Sequence, residues 1–394
     1  MVNSKLSLFV KGRKETFSLI ENSIFKEDKV IWIHASSLGE YEQGLPVLEK
    51  LKSLYPNYKT LLTFFSPSGY EVKKNSKVAD VICYLPLDTK KNASIFLEAA
   101  HPDIAIFIKY EIWPNFLNTL KEQNTPTFLI SAIYKENQIY FKSYGGFMSK
   151  ALNDFTHIFV QNKKSEELLN SIGYKNVTIA GDTRFDRVSE ILDRNNELDF
   201  MNLFKQNHFC FVAGSTWTED ESLIIEYINK CSHPIKFVLA PHTMKNNHIQ
   251  EIKQSINKPV ICYSDLNDTI ILSDYDVIII DTIGLLTKIY SYADIAYVGG
   301  GFATGLHNTL EPAVFGIPVI IGSKFEGFAE AEELVKLKGV ISIKTFIEFQ
   351  KLVNTYFAEN EIRQNTGQIN TNFIKEKAGA TVSIINELNS FFTS

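Results

Sequence analysis

The fold is decided by one early stretch of the chain, VIWIHASSLGEYEQGLPVLEKLKSL, residues 30–54. It opens with an apolar run, which is typical of a parallel strand buried on both faces. It continues with apolar residues at helical spacing. The stretch therefore predicts a strand that turns directly into a helix, and functional residues of such sheets lie in the loops at these turns.

The same alternation of strand and helix extends over most of the chain. Strands are predicted in VIWIHAS, YKTLLTFF, DVICYLP, DIAIFIK and TPTFLIS, and later in FCFVAGS, IKFVLAP, KPVICY, DVIIID, DIAYVGG and IPVIIG. Charged and polar residues interrupt this rhythm around residues 189–199. The pattern predicts two α/β domains with parallel sheets and a cleft between them. Residues 344–394 are predicted to be mainly helical.

Composition narrows the class of protein. With 394 residues and 45% hydrophobic content the chain can fill two cores, and a formal net charge of -5 excludes wholesale wrapping of nucleic acid. The four cysteines form no close pair, no His/Cys cluster has zinc spacing, and no apolar run is long enough to span a membrane. We expect a soluble or peripheral cytoplasmic protein without a bound metal.

Glu40 follows the first strand and has two interpretations. Ser37 and Glu40 fit the capping box S-x-x-E, in which the glutamate reaches back to a backbone N–H. The same placement aims a carboxylate into the cleft, where it can act as a general base. Gly39 is expected to make the tight turn between strand and helix. Glu111, in IKYEIWPNF, also follows a strand and is either a partner on the same rim or a solvated helix start.

The second domain carries its own motif at a strand end, in residues 281–322. Gly299, Gly300 and Gly301 follow the strand DIAYV, and such a run either brings backbone N–H groups close to a phosphate or forms a flexible turn. Glu311 in HNTLEP suits the vicinal hydroxyls of a ribose, with Asn308 capping the helix that carries it. The competing interpretation is again a capping box.

Two further junctions complete an anion-binding face on this domain. AGSTWTEDE offers the hydroxyls and N–H groups of Ser215 and Thr216 at a helix start. APHTMKNNH places Pro241 and His242 directly after another strand. Taken alone, the histidine is better explained as an ordinary surface residue.

The segment FLISAIYKENQIYFKSYGGFMSK, residues 128–150, interleaves aromatic residues with lysines. This mixture suits an interface with an anionic membrane or lipid. The alternative is a core helix whose lysines extend along the apolar surface to reach water.

The chain resembles the 3-deoxy-D-manno-octulosonic-acid (Kdo) transferases of lipopolysaccharide assembly in six motifs, which run in order over nearly its whole length: HASSLGEYEQGLPVL, YEIWPNF, GDTRFD, AGSTWTEDE, DTIGLL and VGGGFATGLHNTLEPAVFGIPVIIG. The resemblance implies the glycosyltransferase B fold, an α/β architecture of two Rossmann-like doubly wound domains facing across a cleft. It implies inverting, metal-independent transfer of Kdo from CMP-Kdo to a lipid A precursor, with no cofactor.

The resemblance also assigns roles. The domain of residues 1–187 receives the lipid acceptor and that of residues 188–394 holds CMP-Kdo, with the last helices packing back on the first domain as an alternative. The family's S-x-G-E glutamate falls on Glu40, the expected base, and its E-x-W-P-N glutamate falls on Glu111, a partner in acceptor binding or catalysis. The candidate donor-binding residues are Ser215, Thr216, Pro241, His242, Gly284, Gly299, Gly300, Gly301, Asn308 and Glu311.

The chain departs from the family at several of these positions. Many relatives have Pro-Arg-His where this chain has Pro241, His242 and Thr243, so a permanent bidentate cation is replaced by a group that is often neutral. Trp217 stands where they have histidine.

The start of the chain differs too, because relatives commonly begin with an apolar anchoring segment. We expect the protein at the cytoplasmic face of the inner membrane. The attachment is either an N-terminal anchor absent from this sequence or a set of surface residues such as Lys11, Arg13 and Lys14.

Two other functions stay open. Non-hydrolysing UDP-sugar epimerases also pair two Rossmann-like domains, and UDP binding without a lipid acceptor would favour them. A non-catalytic nucleotide-sugar-binding protein would bind CMP and be indifferent to the loss of Glu40.

Overall fold

A computed structural model of the chain describes residues 2–303 and 305–392, without the side chains of residues 2–11. The chain divides into two compact units. Unit 1 comprises the residues up to Arg187 together with those from Lys377 onward, and unit 2 runs from Val188 to Glu376.

Unit 1 is built on one parallel sheet. Its strands are β1 (Lys29–Ala35), β2 (Tyr58–Phe64), β3 (Val81–Tyr84), β4 (Ile104–Ile108), β5 (Thr127–Ala132), β6 (His157–Val160) and β7 (Val177–Ile179). They lie in the order β3-β2-β1-β4-β5-β6-β7. The helices are α1 (Val2–Ser23), α2 (Leu38–Leu54), α3 (Pro67–Lys73), α4 (Lys90–Ala100), α5 (Pro114–Glu122), α6 (Gly146–Leu152), α7 (Lys163–Ser171) and α8 (Thr183–Ser189), which leads out of the unit.

Unit 2 is built on a second parallel sheet. Its strands are β8 (Phe209–Thr216), β9 (Ile235–Pro241), β10 (Val260–Cys262), β11 (Val277–Ile279), β12 (Ile295–Val298), β13 (Val319–Ile321) and β14 (Val340–Ser342). They lie in the order β10-β11-β9-β8-β12-β13-β14. The helices are α9 (Asp199–Lys205), α10 (Thr218–Lys230), α11 (Asn246–Ser255), α12 (Leu286–Ile289), α13 (Leu310–Ala313), α14 (Ala329–Leu337), α15 (Phe346–Ala358) and α16 (Asn360–Lys377).

The apolar strands are buried on both faces of each sheet, as their composition predicts. In β1, every residue after Lys29 is buried. Trp32 packs into the core on one face, while Ile31 and Ile33 pack into the core on the other. Each such side chain contributes about 1.5–3 kcal/mol by leaving water, so the continuous apolarity of the strands is what holds the helices on both sides.

The two parallel-sheet domains predicted from the sequence are confirmed, and every predicted strand is present. Three strands were not predicted: β6, β7 and β14. β7 and β14 have only three residues each, and β7 has no fully buried residue. β7 and β14 therefore lack the buried apolar run that marks the predicted strands, whereas β6 buries Ile158, Phe159 and Val160 and was overlooked.

The last described helix, α17 (Ala380–Phe392), belongs to unit 1. Asp186 holds its start, because this carboxylate accepts the backbone N–H of Gly379 at 2.5 Å and that of Thr381 at 2.7 Å. Its apolar face joins the core that also contains α2, through Ile384, Ile385 and Leu388. Thr393 and Ser394 lie outside the described residues.

The start of the chain corrects one expectation. Arg13 is buried, not a surface residue: its guanidinium donates to the carbonyl of Phe65 at 2.7 Å and lies over the rings of Phe65 and Tyr84. Burial lowers its pKa to about 10. Lys14 is exposed, and the side chain of Lys11 lies outside the described part. No helix among the described residues has the length and apolarity needed to cross a bilayer.

Candidate functional site

The strand orders place the candidate residues. In each sheet the order reverses at one point, between β1 and β4 in unit 1 and between β8 and β12 in unit 2. In open parallel sheets, ligands bind beyond the carboxyl ends of the strands at such a reversal. Glu40 and Glu111 follow β1 and β4, while Ser215 ends β8 and Gly299 follows β12. The motifs found in the sequence therefore converge on the binding edge of each sheet.

Glu40 both caps a helix and keeps one oxygen available. Its Oε2 accepts the backbone N–H of Ser36 at 2.7 Å and that of Ser37 at 3.1 Å. Within the described residues, the hydrogen bonds of this carboxylate all end on Oε2, so Oε1 is left for a ligand. The expectation for Gly39 is wrong. This residue lies inside the first turn of α2 with an ordinary φ, and Ser36 and Ser37 form the turn.

The environment of Glu40 suits a proton acceptor. Burial, and then the charge of Glu111, raise its pKa to about 7. The N–H groups of Ser36 and Ser37 and the charge of Lys109 act in the opposite direction but do not cancel the shift. A carboxylate with a pKa near the working pH is partly ionised and still basic enough to take a proton from a hydroxyl.

Glu111 is held by two ring N–H groups. Its Oε2 lies 2.8 Å from Nε1 of Trp113 and 3.1 Å from Nε2 of His34. The sequence interpretation missed His34, which is completely buried in β1. A signal existed, since a histidine inside an otherwise apolar strand needs a buried polar partner.

In unit 2, Asp220 organises the corresponding edge. This carboxylate is completely buried and accepts the backbone N–H groups of Trp217 and Gly300, both at 2.9 Å, and the hydroxyl of Tyr297 at 2.6 Å. It therefore ties the start of α10 to the loop after β12. Asp220 was not among the predicted site residues, although its position three residues after Trp217 matches a helix-capping spacing.

The glycine run after β12 is a close-packing device. The N–H of Gly299 donates to the carbonyl of Gly214 at 2.9 Å, and that of Gly300 donates to Asp220. A Cβ on Gly299 would lie 2.2 Å from the carbonyl oxygen of Ser215, and one on Gly300, whose φ is +93°, 2.1 Å from that of Gly305. These two amides are used inside the protein, so the expectation that they face a phosphate does not hold for them.

Three rings stack at this edge of unit 2. Trp217 and His242 are 4.5 Å apart between centroids, and His242 and His307 are 4.7 Å apart. The indole N–H of Trp217 donates to Nε2 of His307 at 3.2 Å, which puts the proton of neutral His307 on Nδ1. Burial, and then His242, lower the pKa of His307. His242 itself is exposed.

Glu311 is oriented by side chains. Its two oxygens accept from the hydroxyl of Thr287 at 3.0 Å and from the side-chain amide of Asn308 at 3.1 Å. The carbonyl oxygen of that amide accepts the N–H of Leu310 at 3.1 Å. Asn308 therefore supports the start of α13 from the residue before its N-cap, Thr309.

The remaining donor-binding candidates divide into two groups. Thr216 and Pro241 are buried, and the hydroxyl of Thr216 donates to Glu221 at 3.1 Å. Both residues therefore support the binding edge from inside the protein. Ser215 and Gly284 are accessible and have positive φ angles of 54° and 96°. Left-handed backbone at a non-glycine residue such as Ser215 costs energy and is found preferentially at binding sites.

The aromatic and lysine-rich segment splits between core and surface. Tyr134 is buried, whereas Tyr144 is 78% and Phe147 72% exposed. Lys150 is exposed beside them and, with Phe147 and Lys90, lines a cavity of about 600 Å³ between α4, α5 and α6. Across the described residues, no group of three or more His, Cys, Asp or Glu side chains is arranged to hold a metal ion.

Comparison with known proteins identifies relatives over the whole chain. Residues 11–187 match the family described as 3-Deoxy-D-manno-octulosonic-acid transferase (kdotransferase). A 3-deoxy-D-manno-octulosonic acid transferase of Haemophilus influenzae is 27% identical, with 96% of this chain and 90% of that protein aligned. A bifunctional glycosyltransferase/methyltransferase of Fusobacterium nucleatum is 26% identical over 97% of this chain, which spans 61% of that protein's length.

Among solved structures, UDP-GlcNAc 2-epimerase from Neisseria meningitidis bound to UDP-GlcNAc has a TM-score of 0.64 and 15% sequence identity, covering 92% of this chain and 100% of that one. At this identity the likeness concerns the fold alone. It agrees with the two parallel sheets described above, and the predicted glycosyltransferase B fold is confirmed.

Proposed function

We propose that the chain, whose residues 11–187 match the 3-deoxy-D-manno-octulosonic-acid transferase family, is an inverting, metal-independent glycosyltransferase that moves Kdo from CMP-Kdo to a lipid A precursor. One observation carries the proposal beyond the family: a half-buried carboxylate, Glu40, has a pKa of about 7 at the point where the strand order of unit 1 reverses. The epimerase and binding-protein alternatives have no such observation in their favour.

Glu40 is the proposed general base. Oε1 accepts the proton of the acceptor's sugar hydroxyl while Oε2 stays bound to the backbone of Ser36 and Ser37. The hydroxyl oxygen forms a bond to the anomeric carbon of Kdo from the face opposite the phosphate. The bond from that carbon to the phosphate oxygen breaks, and CMP leaves with the electron pair. One displacement of this kind inverts the anomeric configuration.

Unit 2 is the proposed donor site. Glu311, fixed by Thr287 and Asn308, suits the two hydroxyls of the cytidine ribose. His242 and His307 present imidazole groups that can donate to the phosphate or the Kdo carboxylate. Ser215, accessible and held in a left-handed conformation, adds a hydroxyl at the same edge.

Stabilisation of the departing phosphate without a metal is part of the proposal. Hydrogen-bond donors fixed before the reaction stabilise charge that develops in the transition state. The imidazole N–H groups of His242 and His307 and the hydroxyl of Ser215 are the donors that the proposal assigns to this stabilisation in place of a divalent cation.

Membrane association is also proposed. Tyr144, Phe147 and Lys150 form an exposed aromatic and basic surface on unit 1. Aromatic residues of this kind enter the headgroup region, and lysines attract anionic lipids. We place this surface against the cytoplasmic face of the inner membrane, where the lipid acceptor is presented.

The test is transfer from CMP-Kdo, generated in place, to a tetra-acylated lipid A precursor in detergent containing EDTA. Wild-type protein is compared with Glu40→Gln. A Kdo-bearing product from the wild type and only a trace from the variant, with equal CMP binding by both, is the expected result.

Other outcomes separate the alternatives. Dependence on added Mg²⁺ would refute the metal-independent mechanism. Equal product from both proteins would remove Glu40 from its role. CMP binding without product would favour a binding protein, and conversion of a UDP-sugar to its epimer would favour an epimerase.

A further inference from the structure

A continuous chain of buried polar side chains runs behind the candidate base of unit 1. Nε1 of Trp32 lies 2.9 Å from Oγ1 of Thr63, which lies 2.8 Å from Nδ1 of His34. Nε2 of His34 then reaches Oε2 of Glu111 at 3.1 Å. Trp32, Thr63 and His34 are at most 1% exposed. Buried polar groups in such a position require a reason, since apolar residues would fill the same volume at lower cost.

The donor and acceptor properties of these side chains give the hydrogen-bond chain a direction. An indole N–H only donates, so Thr63 accepts from Trp32. The hydroxyl proton of Thr63 has two acceptors in reach: the carbonyl of Ile33 at 3.5 Å, the limit of a hydrogen bond, and Nδ1 of His34 at 2.8 Å. When Nδ1 accepts, the neutral imidazole carries its proton on Nε2. Every donor in this hydrogen-bond chain then points toward Glu111.

We propose that His34 is a positioning residue, which uses this one-way hydrogen-bond chain to hold Glu111 in a fixed position beside Glu40. The inference rests on the proposed role of Glu40 as base and explains how its basicity is set. With His34 and Trp113 both donating to Oε2, the carboxylate of Glu111 is fixed in position, and its charge is one of the causes that raise the pKa of Glu40.

Other groups face the pair from neighbouring elements. Among the described residues these are Lys109 and Tyr110 after β4 and Tyr140 after β5. Lys109 acts against the repulsion between the carboxylates, because its positive charge stabilises the ionised form of Glu40. The donors to Glu111 therefore act on Glu40 by fixing the position of the neighbouring charge that raises its pKa.

The experiment replaces His34 in two ways. His34→Leu removes the donor, whereas His34→Gln places an amide N–H where Nε2 was. The matched control is His157→Leu, since His157 also pairs with a threonine hydroxyl, that of Thr178 at 2.9 Å. His157 is the first residue of β6 and therefore lies at the amino ends of the strands, away from the binding edge of the same sheet. Thr63→Val breaks the chain one step further back.

The readout is the titration of ¹³C-labelled glutamate carboxyl groups, assigned with Glu40→Gln and Glu111→Gln, together with the pH profile of Kdo transfer. In His34→Leu we expect the titration of Glu40 to move about one pH unit lower, because the carboxylate of Glu111 is no longer held beside it. The acid limb of the rate profile shifts with Glu40. His34→Gln restores most of the wild-type behaviour, Thr63→Val gives a smaller shift of the same sign, and His157→Leu gives none.

An unchanged Glu40 titration in folded His34→Leu and Thr63→Val proteins would overturn the inference, as would an equal shift in His157→Leu. If His34→Leu does not fold, Thr63→Val alone decides. The carboxyl titration needs no turnover, so absence of Kdo transfer by the wild type would refute the proposed function while the role of His34 is still measured.

Discussion

The two sheets end their first strands in the same way but use the junction differently. After β1 the start of α2 is capped by Glu40, and after β8 the start of α10 is capped by Asp220. Glu40 is half-buried and keeps one oxygen for a ligand, whereas Asp220 is completely buried with three donors. The capping pattern is the same at both junctions. What distinguishes the proposed general base from the structural carboxylate is therefore the burial of the carboxylate.

The largest expected effect comes from replacing Glu40. Glu40→Gln removes the proton acceptor while Gln still accepts the backbone N–H groups. Loss of a general base lowers kcat by roughly 10²–10⁴-fold. The measurement is steady-state Kdo transfer together with CMP titration, and weaker CMP binding as the main effect would contradict the assignment.

Asp220→Asn provides the opposite case. Asn lacks the charge and one of the acceptor oxygens, so donors from Trp217, Gly300 and Tyr297 lose partners. We expect the unfolding free energy of unit 2 to fall by about 2–4 kcal/mol. Chemical denaturation followed by the fluorescence of Trp217, in a background where Trp32 and Trp113 are replaced, measures it. A wild-type midpoint with a large loss of kcat would reverse the roles of the two caps.

The glycines beside the caps provide the next comparison. Gly300→Ala forces a Cβ within 2.1 Å of a backbone oxygen at a positive φ, whereas a Cβ at Gly39 meets no atom within 4 Å. We expect a loss of at least about 2 kcal/mol for Gly300→Ala and little change, or a slight gain, for Gly39→Ala. Thermal unfolding of both variants checks this, and equal melting temperatures would contradict the close packing after β12.

The pH dependence of CMP binding should distinguish the binding edge of unit 2, which carries His242 and His307, from that of unit 1. Burial and His242 lower the pKa of His307, so this group is neutral at pH 8 and gains its proton only in acid. A phosphate favours that protonation, and CMP should therefore bind up to about tenfold tighter at pH 6 than at pH 8. Calorimetric titration with CMP measures this.

Cytidine, which lacks the phosphate, is the control ligand and should show no such trend. His307→Ala should flatten the trend for CMP, because it removes the group that gains the proton. A trend shared by cytidine would place the proton elsewhere.

The smallest effect concerns the stability of unit 1. The pKa of Glu40 is raised from 4.5 to about 7, so the folded state binds this proton more tightly than the unfolded state. The associated stability is present below pH 4.5 and is lost as pH rises through 7. Glu40→Gln mimics the neutral acid and should be about 1 kcal/mol more stable than wild type at pH 8, after allowance for solvent screening, with no difference at pH 4.5. Melting curves at both pH values test this.

The sequence predicted the sheets and the strand-end motifs because both are local. Apolar runs mark buried strands, and Glu40 or Glu311 can be read from the residues that follow them. His34 and Asp220 each had a local signal, a histidine inside an apolar strand and a carboxylate three residues after Trp217, but their other partners lie far away in the sequence, as in the contacts from His34 to Glu111 and from Tyr297 to Asp220. The glycine run was recognised, but its packing against Gly214 and Ser215 depends on strand register.

The position of α17 has a consequence for synthesis of the protein. Its residues leave the ribosome after those of unit 2, yet Ile384, Ile385 and Leu388 complete the core of unit 1. Until then the apolar face of α2 that they cover is open to solvent and to chaperones. The segment that carries Glu40 thus reaches its final packing only after α17 has been synthesised. A premature stop before Thr381, the partner of Asp186, would leave unit 1 without this part of its core.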